Sequence, residues 1–302
     1  MKKTLLSLLF LSSIGVNAQT TIFEDSFETY TDFAIANVGN WTLTDNDGLI
    51  AYGLGTYVYP NKQVAKSFQV FNGTTTSPVL VGSALNNWLA RTGNKHMVCF
   101  SGIPAGGVTA NNDWLISPQI TLGTTGNVVS FWAKNCDSTY PERFKVGISS
   151  TTSTTGVTAL STGAYVTTPT NITWTQYTYT IPDSFNGQAV YISINCVSND
   201  QYGFAVDDFK VTTTGQMSTA DFFAKNFSVF PNPSTGVVNV LSKNNNAIDA
   251  IQLTDLNGRV VKNINANGVS DTQINISDLT SGVYFLNVKT EAGSGTTKIL
   301  KN

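Results

Sequence analysis

The first two thirds of the chain contain short segments in which apolar and polar residues alternate. The segments 129–134, 144–149, 177–181 and 190–196 each place an apolar side chain at every second position. This period of two is typical of β-strands that bury one face. Loops rich in Gly, Pro, Asn and Thr separate the segments, and no long helical period appears. The pattern predicts an all-β domain built as a two-sheet antiparallel sandwich.

A second and smaller unit begins near Asn226. Apolar segments at 237–241, 251–256 and 282–288 predict strands, and Asn257-Gly258 follows the second of them. Asn-Gly between two apolar runs predicts a hairpin, because both central residues of a type I′ turn need positive φ. Residues 215–225, which precede this unit, are predicted to be a linker. The unit itself is expected to be a small β-sandwich without disulfides.

Residues 1–18 have the organisation of a secretory signal peptide. Two lysines are followed by an apolar run from Leu5 to Leu11 and by the small-residue site Val16-Asn17-Ala18. The apolar run is shorter than the ~20 residues that a membrane-spanning helix needs, and no later stretch reaches that length. We therefore expect cleavage after Ala18 and no transmembrane segment.

Composition and charge narrow the class of partner. Charged residues make up 12% of the chain, against about a quarter in an average globular protein. Residues 19–214 hold 13 acidic and 8 basic side chains, without a basic stripe. An acidic body of this kind is not suited to nucleic acid, which is therefore not expected as a partner.

The three cysteines are too few, and odd in number, for a disulfide framework. Cys196 is in phase with the apolar positions of its strand, so it is predicted to be a buried thiol that acts as a small hydrophobe. One bridge among Cys99, Cys136 and Cys196 remains possible, and the sequence does not say which.

The single histidine, His96, limits the catalytic options. A Ser-His-Asp or Cys-His arrangement would have to use it, and Cys99 three residues later points to the opposite face of the predicted strand. We therefore expect a structural His96, exposed or hydrogen-bonded, and no zinc site. Asp207 and Asp208 are adjacent in a strand and are expected to point to opposite sides, so they are not a glycosidase pair by themselves. A pair drawn from distant segments stays open, but no catalytic residue is predicted.

The tail, residues 226–302, resembles the type A C-terminal sorting domain of the type IX secretion system. Four landmarks carry the resemblance: Phe230-Pro231-Asn232-Pro233, Asp255-Leu256-Asn257-Gly258-Arg259-Val260, Leu279 with Ser281-Gly282-Val283-Tyr284-Phe285, and Lys298-Ile299-Leu300-Lys301. The resemblance implies a small Ig-like β-sandwich that addresses the protein to an outer-membrane translocon. An ordinary immunoglobulin-like module, the alternative, does not need these landmarks.

The body, residues 19–214, is similar to the cleaved-adhesin or choice-of-anchor J family, the module repeated in the haemagglutinin regions of gingipain-type proteases. The motifs that carry this similarity are Phe23-Glu24-Asp25-Ser26-Phe27-Glu28, Asn112-Asp113-Trp114-Leu115-Ile116-Ser117-Pro118, Ser130-Phe131-Trp132-Ala133-Lys134, Tyr140-Pro141-Glu142-Arg143-Phe144, and Gly203-Phe204-Ala205-Val206-Asp207-Asp208-Phe209. The resemblance implies a jelly-roll-like antiparallel β-sandwich associated with adhesion. This chain has one such module and no protease domain.

The same resemblance implies a structural Ca²⁺ ion that joins the first and last strands of the body. The candidate ligands are acidic: Glu24, Asp25, Asp207 and Asp208, with Asp47 as a further candidate. Ca²⁺ takes six to eight oxygen ligands, and carboxylates brought together without it would repel one another. In the alternative interpretation, Asp207 and Asp208 only cap a strand end.

Ligand binding is expected to use exposed aromatic rings beside polar groups, because sugar faces stack on rings and sugar hydroxyls need hydrogen bonds. The predicted ligand-binding residues lie in long polar loops: Tyr52, Tyr57, Tyr59 and Trp88. The other four tryptophans lie in strand-like motifs and are predicted to pack in the core: Trp41, Trp114, Trp132 and Trp174.

These observations favour a secreted or surface-attached adhesin that binds an extracellular glycan or a host or matrix protein and is not an enzyme. A secreted glycan-active enzyme or accessory module is the alternative, and a structural component of the cell surface is the third possibility.

Overall fold

The computed structural model describes residues 19–215, 218–243, 246–291 and 293–302. The predicted signal peptide, residues 1–18, lies outside this part of the chain. Within the described ranges no helix has the length and apolar character that crossing a membrane requires.

The body contains thirteen strands and two short 3₁₀ helices, Gly73–Thr75 and Asp183–Phe185. The strands in chain order are β1 (Thr20–Asp25), β2 (Thr42–Asp45), β3 (Phe68–Asn72), β4 (Lys95–Phe100), β5 (Asp113–Ile116), β6 (Ile120–Thr121), β7 (Val128–Asn135), β8 (Arg143–Ser149), β9 (Thr158–Ala159), β10 (Val166–Thr167), β11 (Thr175–Thr180), β12 (Ala189–Cys196) and β13 (Gly203–Thr213).

These strands form two antiparallel sheets. Sheet 1 has the order β11-β7-β13-β4-β3, and β1 pairs with the second half of β13. Sheet 2 has the order β10-β8-β12-β5-β2, with β6 on β12 and β9 on β8. The predicted antiparallel β-sandwich is therefore confirmed.

The alternating residues meet between the two sheets, as their phase predicts. Phe131 of sheet 1 and Phe144 of sheet 2 are fully buried and belong to one apolar core. Phe144 also stacks on Phe204, with 4.9 Å between the ring centroids. Burial of such rings contributes about 1.5–3 kcal/mol each, so the sandwich is held together by the period-two pattern itself.

Sheet 1 carries a second apolar cluster on its outer face, away from sheet 2. Phe100 contributes to it from β4, where its neighbour Cys99 faces the central core. Loop residues between β1 and β4 fold over this face and pack on it, among them Phe33, Tyr59 and Trp88. This outer-face cluster covers the β3–β4 end of sheet 1 and leaves the outer face free around β7, β11 and β1.

The second domain contains one helix and seven strands. They are α1 (Thr219–Asn226), β14 (Phe227–Phe230), β15 (Val237–Ser242), β16 (Ile248–Thr254), β17 (Val260–Val269), β18 (Asp271–Asn275), β19 (Gly282–Thr290) and β20 (Gly293–Lys301). One sheet has the order β14-β15-β18 and the other β17-β16-β19-β20. The predicted small C-terminal sandwich is therefore confirmed.

The segment predicted to be a linker, 215–225, contains most of helix α1. Ser218 caps the helix by accepting a hydrogen bond from the backbone N–H of Asp221. Phe222 and Phe223 are buried in the core of the second domain. The helix lies close to β20, where a Cβ on Gly295 would come within 2.8 Å of the Phe223 backbone. The helix therefore belongs to the second domain, although it is too short to give a clear helical period.

The predicted hairpin forms between β16 and β17, but its turn differs from the expected one. Residues 255–259 connect the strands, and of the Asn257-Gly258 pair only Gly258 has positive φ, at 78°. The Asp255 carboxylate accepts hydrogen bonds from the N–H groups of Asn257 and Arg259, each at 3.0 Å. This side-chain capping stabilises a wider turn than type I′.

Candidate functional site

A cleft of about 780 Å³ opens on the free part of the outer face of sheet 1. Strands β1, β7, β11 and β13 form its floor, and the loop before β4 forms one wall. Its lining includes Glu24, Asp25, Tyr30, Arg91, Trp132, Gln176, Asp208 and Lys210.

Trp132 is the central aromatic residue of the cleft. Its neighbours Phe131 and Ala133 face the central core, so its own side chain lies on the outer face, where it is half-buried. It pairs in register with Gln176 of β11. The prediction that Trp132 packs in the core is therefore wrong. The alternation in the sequence already carried the signal, because Trp132 is in phase with the polar positions of its strand.

Arg91 lies on the Trp132 ring, with 3.8 Å between the guanidinium carbon and the ring centroid. The same guanidinium forms an ion pair with Asp208, at 2.5 Å from Nη1 to Oδ2. A cation above an indole face is attracted by the ring quadrupole, and the carboxylate fixes the guanidinium plane. Trp132, Arg91 and Asp208 thus form one layered platform, which is called the Trp–Arg platform below.

A β-bulge in β13 gives Asp207 and Asp208 a common direction. The register with β7 shifts between Asp207 and Lys210, and Asp208 adopts a φ of 47°. Asp207 Oδ2 accepts the backbone N–H groups of Arg91 and Thr92, at 2.9 and 3.2 Å. Asp208 Oδ1 accepts the Thr92 hydroxyl at 2.7 Å. The expectation that the two acids point to opposite sides is wrong, because the extra residue of a bulge breaks the alternation.

Asp207 is fully buried behind this wall of the cleft. Burial raises its pKa to about 7, and the charge of Asp208 acts in the same direction, while the backbone donors oppose the shift. Its role is to hold the 91–92 segment in place.

The acids of the first strand also have partners within the protein. Glu24 pairs with Lys210 at 3.0 Å. Asp25 accepts the Phe27 backbone N–H at 2.7 Å and the Trp41 indole N–H at 2.8 Å. Trp41 itself is buried in the central core, as predicted.

The implied calcium set does not converge. In the described part of the chain, no three of the four acids Glu24, Asp25, Asp207 and Asp208 bring oxygens within 4.8 Å of one another. Amide, hydroxyl, indole, lysine and arginine donors occupy their oxygens instead. These residues therefore do not fit the ion that the resemblance implies.

The fifth candidate ligand, Asp47, belongs to a different group. Oxygens of Asp45, Asp47 and Asp113 lie within 4.8 Å of one another. Asp45 ends β2, Asp113 begins β5, and the two are partners in the strand register. Burial, followed by the charge of Asp47, raises the pKa of Asp113 to about 8. These three residues are called the acid cluster below.

Two of the four predicted ligand-binding aromatics are buried. Tyr59 and Trp88 are only 6% and 3% exposed, and Trp88 stacks on Phe100 with 5.0 Å between centroids. The prediction is wrong for these two residues, because their loops fold onto the outer face of sheet 1 and bury the rings in the outer-face cluster. Trp114 and Trp174, predicted to be in the core, are only half-buried.

Tyr52 and Tyr57 are half-buried. The Tyr52 hydroxyl donates a hydrogen bond to Asp200 Oδ1 at 2.8 Å, beside a smaller pocket of about 310 Å³. Their role in ligand binding stays a prediction.

His96 lies on the face of β4 opposite Cys99, as predicted, but it is neither exposed nor hydrogen-bonded. It is fully buried between the rings of Phe71 and Trp174, with centroid distances of 5.8 and 5.7 Å. Its ring nitrogens have no hydrogen-bond partner among the described residues. Burial lowers its pKa well below the usual value, so the ring is a neutral packing group. All three cysteines are buried free thiols, and Cys196 lies in the central core as predicted.

One buried carboxyl group, Glu142, was not singled out by the sequence analysis. It accepts a hydrogen bond from the Tyr202 backbone N–H at 2.8 Å, and burial raises its pKa to about 7. Its phase could have revealed it, because Glu142 precedes the core positions Phe144 and Val146 by steps of two.

Two family models match separate parts of the chain. The Cleaved Adhesin Domain matches residues 77–168, and the secretion system C-terminal sorting domain matches residues 228–302. No curated protein matches the sequence.

Three solved structures illustrate the similarity of fold. The K3 cleaved adhesin domain of Lys-gingipain from Porphyromonas gingivalis is 20% identical, with 65% of this chain and 99% of that chain covered and a TM-score of 0.43. A cyclase from Fischerella sp. TAU is 15% identical, with 67% and 100% covered and a TM-score of 0.42. The CBM22-1 xylan-binding domain from Paenibacillus barcinonensis is 12% identical, with 66% and 98% covered and a TM-score of 0.37.

Both matches agree with the two sandwiches described above. The cleaved adhesin domain is a non-catalytic module, and a sorting domain of this kind marks proteins that are secreted or displayed at the cell surface. The chain therefore carries a cleaved adhesin domain followed by a type IX C-terminal sorting domain, and it is a secreted or cell-surface protein.

Proposed function

We propose that this protein is a non-enzymatic surface adhesin that binds a neutral glycan in the cleft on the outer face of sheet 1. The observation that carries the proposal is the Trp–Arg platform, an aromatic ring and a fixed guanidinium at the base of an open polar cleft.

The chemistry of the cleft suits a sugar. A sugar presents apolar C–H faces, which pack on flat groups, and hydroxyl groups that both donate and accept hydrogen bonds. The platform supplies the flat surface. Gln176 and Ser130 supply neutral donors and acceptors at its edge.

The charges of the cleft favour a neutral ligand over an acidic one. Its two basic groups are already paired, Arg91 with Asp208 and Lys210 with Glu24. An anionic ligand would have to displace one of these carboxylates, whereas a neutral ligand would leave both ion pairs in place.

The arrangement also supports binding without turnover. A glycosidase needs two carboxyl groups about 5 to 10 Å apart across the substrate, free to exchange protons or to attack it. The acids that line the cleft are engaged by Lys210, by Arg91 and by the donors around Asp25. The buried His96 is not accessible to a substrate.

Replacement of Trp132 tests the proposal. We expect Trp132→Ala to weaken glycan affinity at least tenfold, because loss of a stacking ring and of its guanidinium costs about 1.4 kcal/mol or more. A glycan array identifies the ligand with the wild-type chain, and calorimetry then measures the affinity of each variant.

Tyr165 provides a matched control. It forms a similar pair with Arg143, at 4.8 Å from the guanidinium carbon to the ring centroid, and lies outside the cleft. Tyr165→Ala should bind like the wild type. Equal loss in both variants, or none in Trp132→Ala, would reject the cleft as the binding site. Product release from any bound glycan would favour the enzyme alternative.

A further inference from the structure

We propose that the acid cluster, Asp45, Asp47 and Asp113, binds one Ca²⁺ ion and thereby ties the end of β2 to the start of β5. This site is independent of the glycan proposal, and it differs from the set that the family resemblance implies.

The spacing of the oxygens fits one ion. Ca²⁺ binds oxygen at 2.3–2.6 Å, so two of its ligands are at most about 5 Å apart. One oxygen from each of Asp45, Asp47 and Asp113 satisfies this limit, since all three lie within 4.8 Å of one another.

An unpartnered buried oxygen points to a ligand at this place. Asp113 is only 1% exposed, and its Oδ2 accepts hydrogen bonds from the Asn111 amide at 2.6 Å and from the Cys99 thiol at 3.4 Å. Its Oδ1 has no hydrogen-bond partner. A buried carboxylate oxygen without a partner is costly, and a bound cation would remove that cost.

No side-chain cation neutralises the cluster. None of the ion pairs among the described residues includes Asp45, Asp47 or Asp113. Lys66 senses the charge of Asp113, but its Nζ donates to the Asn61 carbonyl instead. Three carboxyl groups at this separation repel one another, so the cluster needs either a cation or a bound proton.

Backbone hydrogen bonds hold two of the acids in position. Asp45 Oδ1 accepts the N–H groups of Asp47 and Gly48, at 3.1 and 2.7 Å. Asp47 accepts the N–H of Leu49 through Oδ1 at 2.8 Å and that of Asn112 through Oδ2 at 2.5 Å. The loop after β2 is thus fixed against the segment that enters β5, and the ligands are arranged before the ion binds.

The donor set favours Ca²⁺ over transition metals. It consists of carboxylate oxygens, which hard cations prefer, and it contains no histidine. The nearby Cys99 has its pKa raised well above the usual value by burial, so it remains a thiol that donates to Asp113 rather than a thiolate ligand. Ca²⁺ also tolerates irregular geometry better than Mg²⁺ does.

Thermal unfolding of the full chain, in EGTA and in about 5 mM CaCl₂, tests the site. Extracellular calcium modules bind with dissociation constants of about 10⁻⁴ to 10⁻³ M, so the folding equilibrium should shift by roughly 6- to 50-fold toward the native state. We expect this calcium response in the wild type and its loss in Asp47→Asn and Asp113→Asn. Asp208→Asn, which alters an acid of the implied set, should keep it.

Terbium luminescence gives a second readout that does not depend on stability. Trp114 follows Asp113 directly, and its indole N–H donates to Asn112 at 2.7 Å, so it can sensitise Tb³⁺ bound at the acid cluster. We expect emission in the wild type, displaced by excess Ca²⁺ and lost in Asp47→Asn. Equal melting in EGTA and CaCl₂ would show that a proton neutralises the cluster and would overturn the proposal. A calcium response or Tb³⁺ emission that survives in Asp47→Asn would overturn it as well.

Discussion

A chain that ends at Gly215 is expected to fold its adhesin domain fully and to fail completely in reaching the cell surface. The adhesin domain extends to Gly215, whose backbone N–H and carbonyl hydrogen-bond to the 124–125 segment. Its core shares no residue with the core of the sorting domain. The truncated chain therefore keeps its folding determinants and loses only the sorting domain.

Protease accessibility on intact cells, with fractionation, measures the outcome. The surface signal should fall to background, and the fragment should accumulate in the periplasm with the melting temperature that the adhesin domain has in the full chain. Efficient surface display of the truncated chain would contradict the assignment of the tail as the sorting signal.

The position of the cut matters, because helix α1 belongs to the sorting domain. A chain that ends at Lys225 keeps Phe222 and Phe223 but loses the partners that bury them, including Phe227. We expect this longer fragment to self-associate, because it exposes two adjacent aromatic rings. Light scattering should distinguish it from the monodisperse fragment that ends at Gly215.

Replacement of Glu142 by glutamine is expected to stabilise the adhesin domain at pH 8 by up to about 3 kcal/mol. Burial raises the pKa of Glu142 from 4.5 to about 7, so the native state holds this proton more tightly than the unfolded chain does. The associated stability is complete below pH 4.5 and is lost as the pH rises through 7. The roughly 2.5-unit shift corresponds to the stated free energy.

Glutamine keeps an oxygen that accepts the Tyr202 N–H and cannot ionise. Denaturant unfolding at pH 5 and pH 8 should give the variant a flatter pH dependence than the wild type. Asp207 and Asp113 also have raised pKa values, so the difference between variant and wild type at each pH isolates Glu142. Glu142→Ala, which removes the acceptor as well, should be destabilised at both values. Parallel pH slopes for wild type and Gln variant would contradict the assignment.

Local patterns predicted the strands well, because burial of one face imposes a period of two. The same rule holds for the phase of Phe131 and of Phe144. It also explains an error, because Trp132 was assigned to the core on its residue type although its phase placed it outside. Burial on the outer face was not predictable for Tyr59 and Trp88, since it depends on how long loops return to sheet 1.

The candidate sites depended on contacts between distant segments. The bulge that turns Asp208 toward Arg91 leaves no clear mark in the sequence, because a single inserted residue only shifts the alternation. The acid cluster needs the register that pairs Asp45 with Asp113. Asp45 and Asp47 are close in sequence, but the buried Asp113 that completes the group comes from another strand.

The loops over sheet 1 possess an apolar cluster of their own, separate from the core that joins the sheets. Trp88 anchors the loop in this cluster, and three residues later the same loop presents Arg91 to the cleft. Exchange of this loop would therefore reshape the recognition surface while Phe131, Phe144 and Phe204 keep the framework intact. The domain has the division of labour of an antibody framework with variable loops, in which one scaffold supports many specificities.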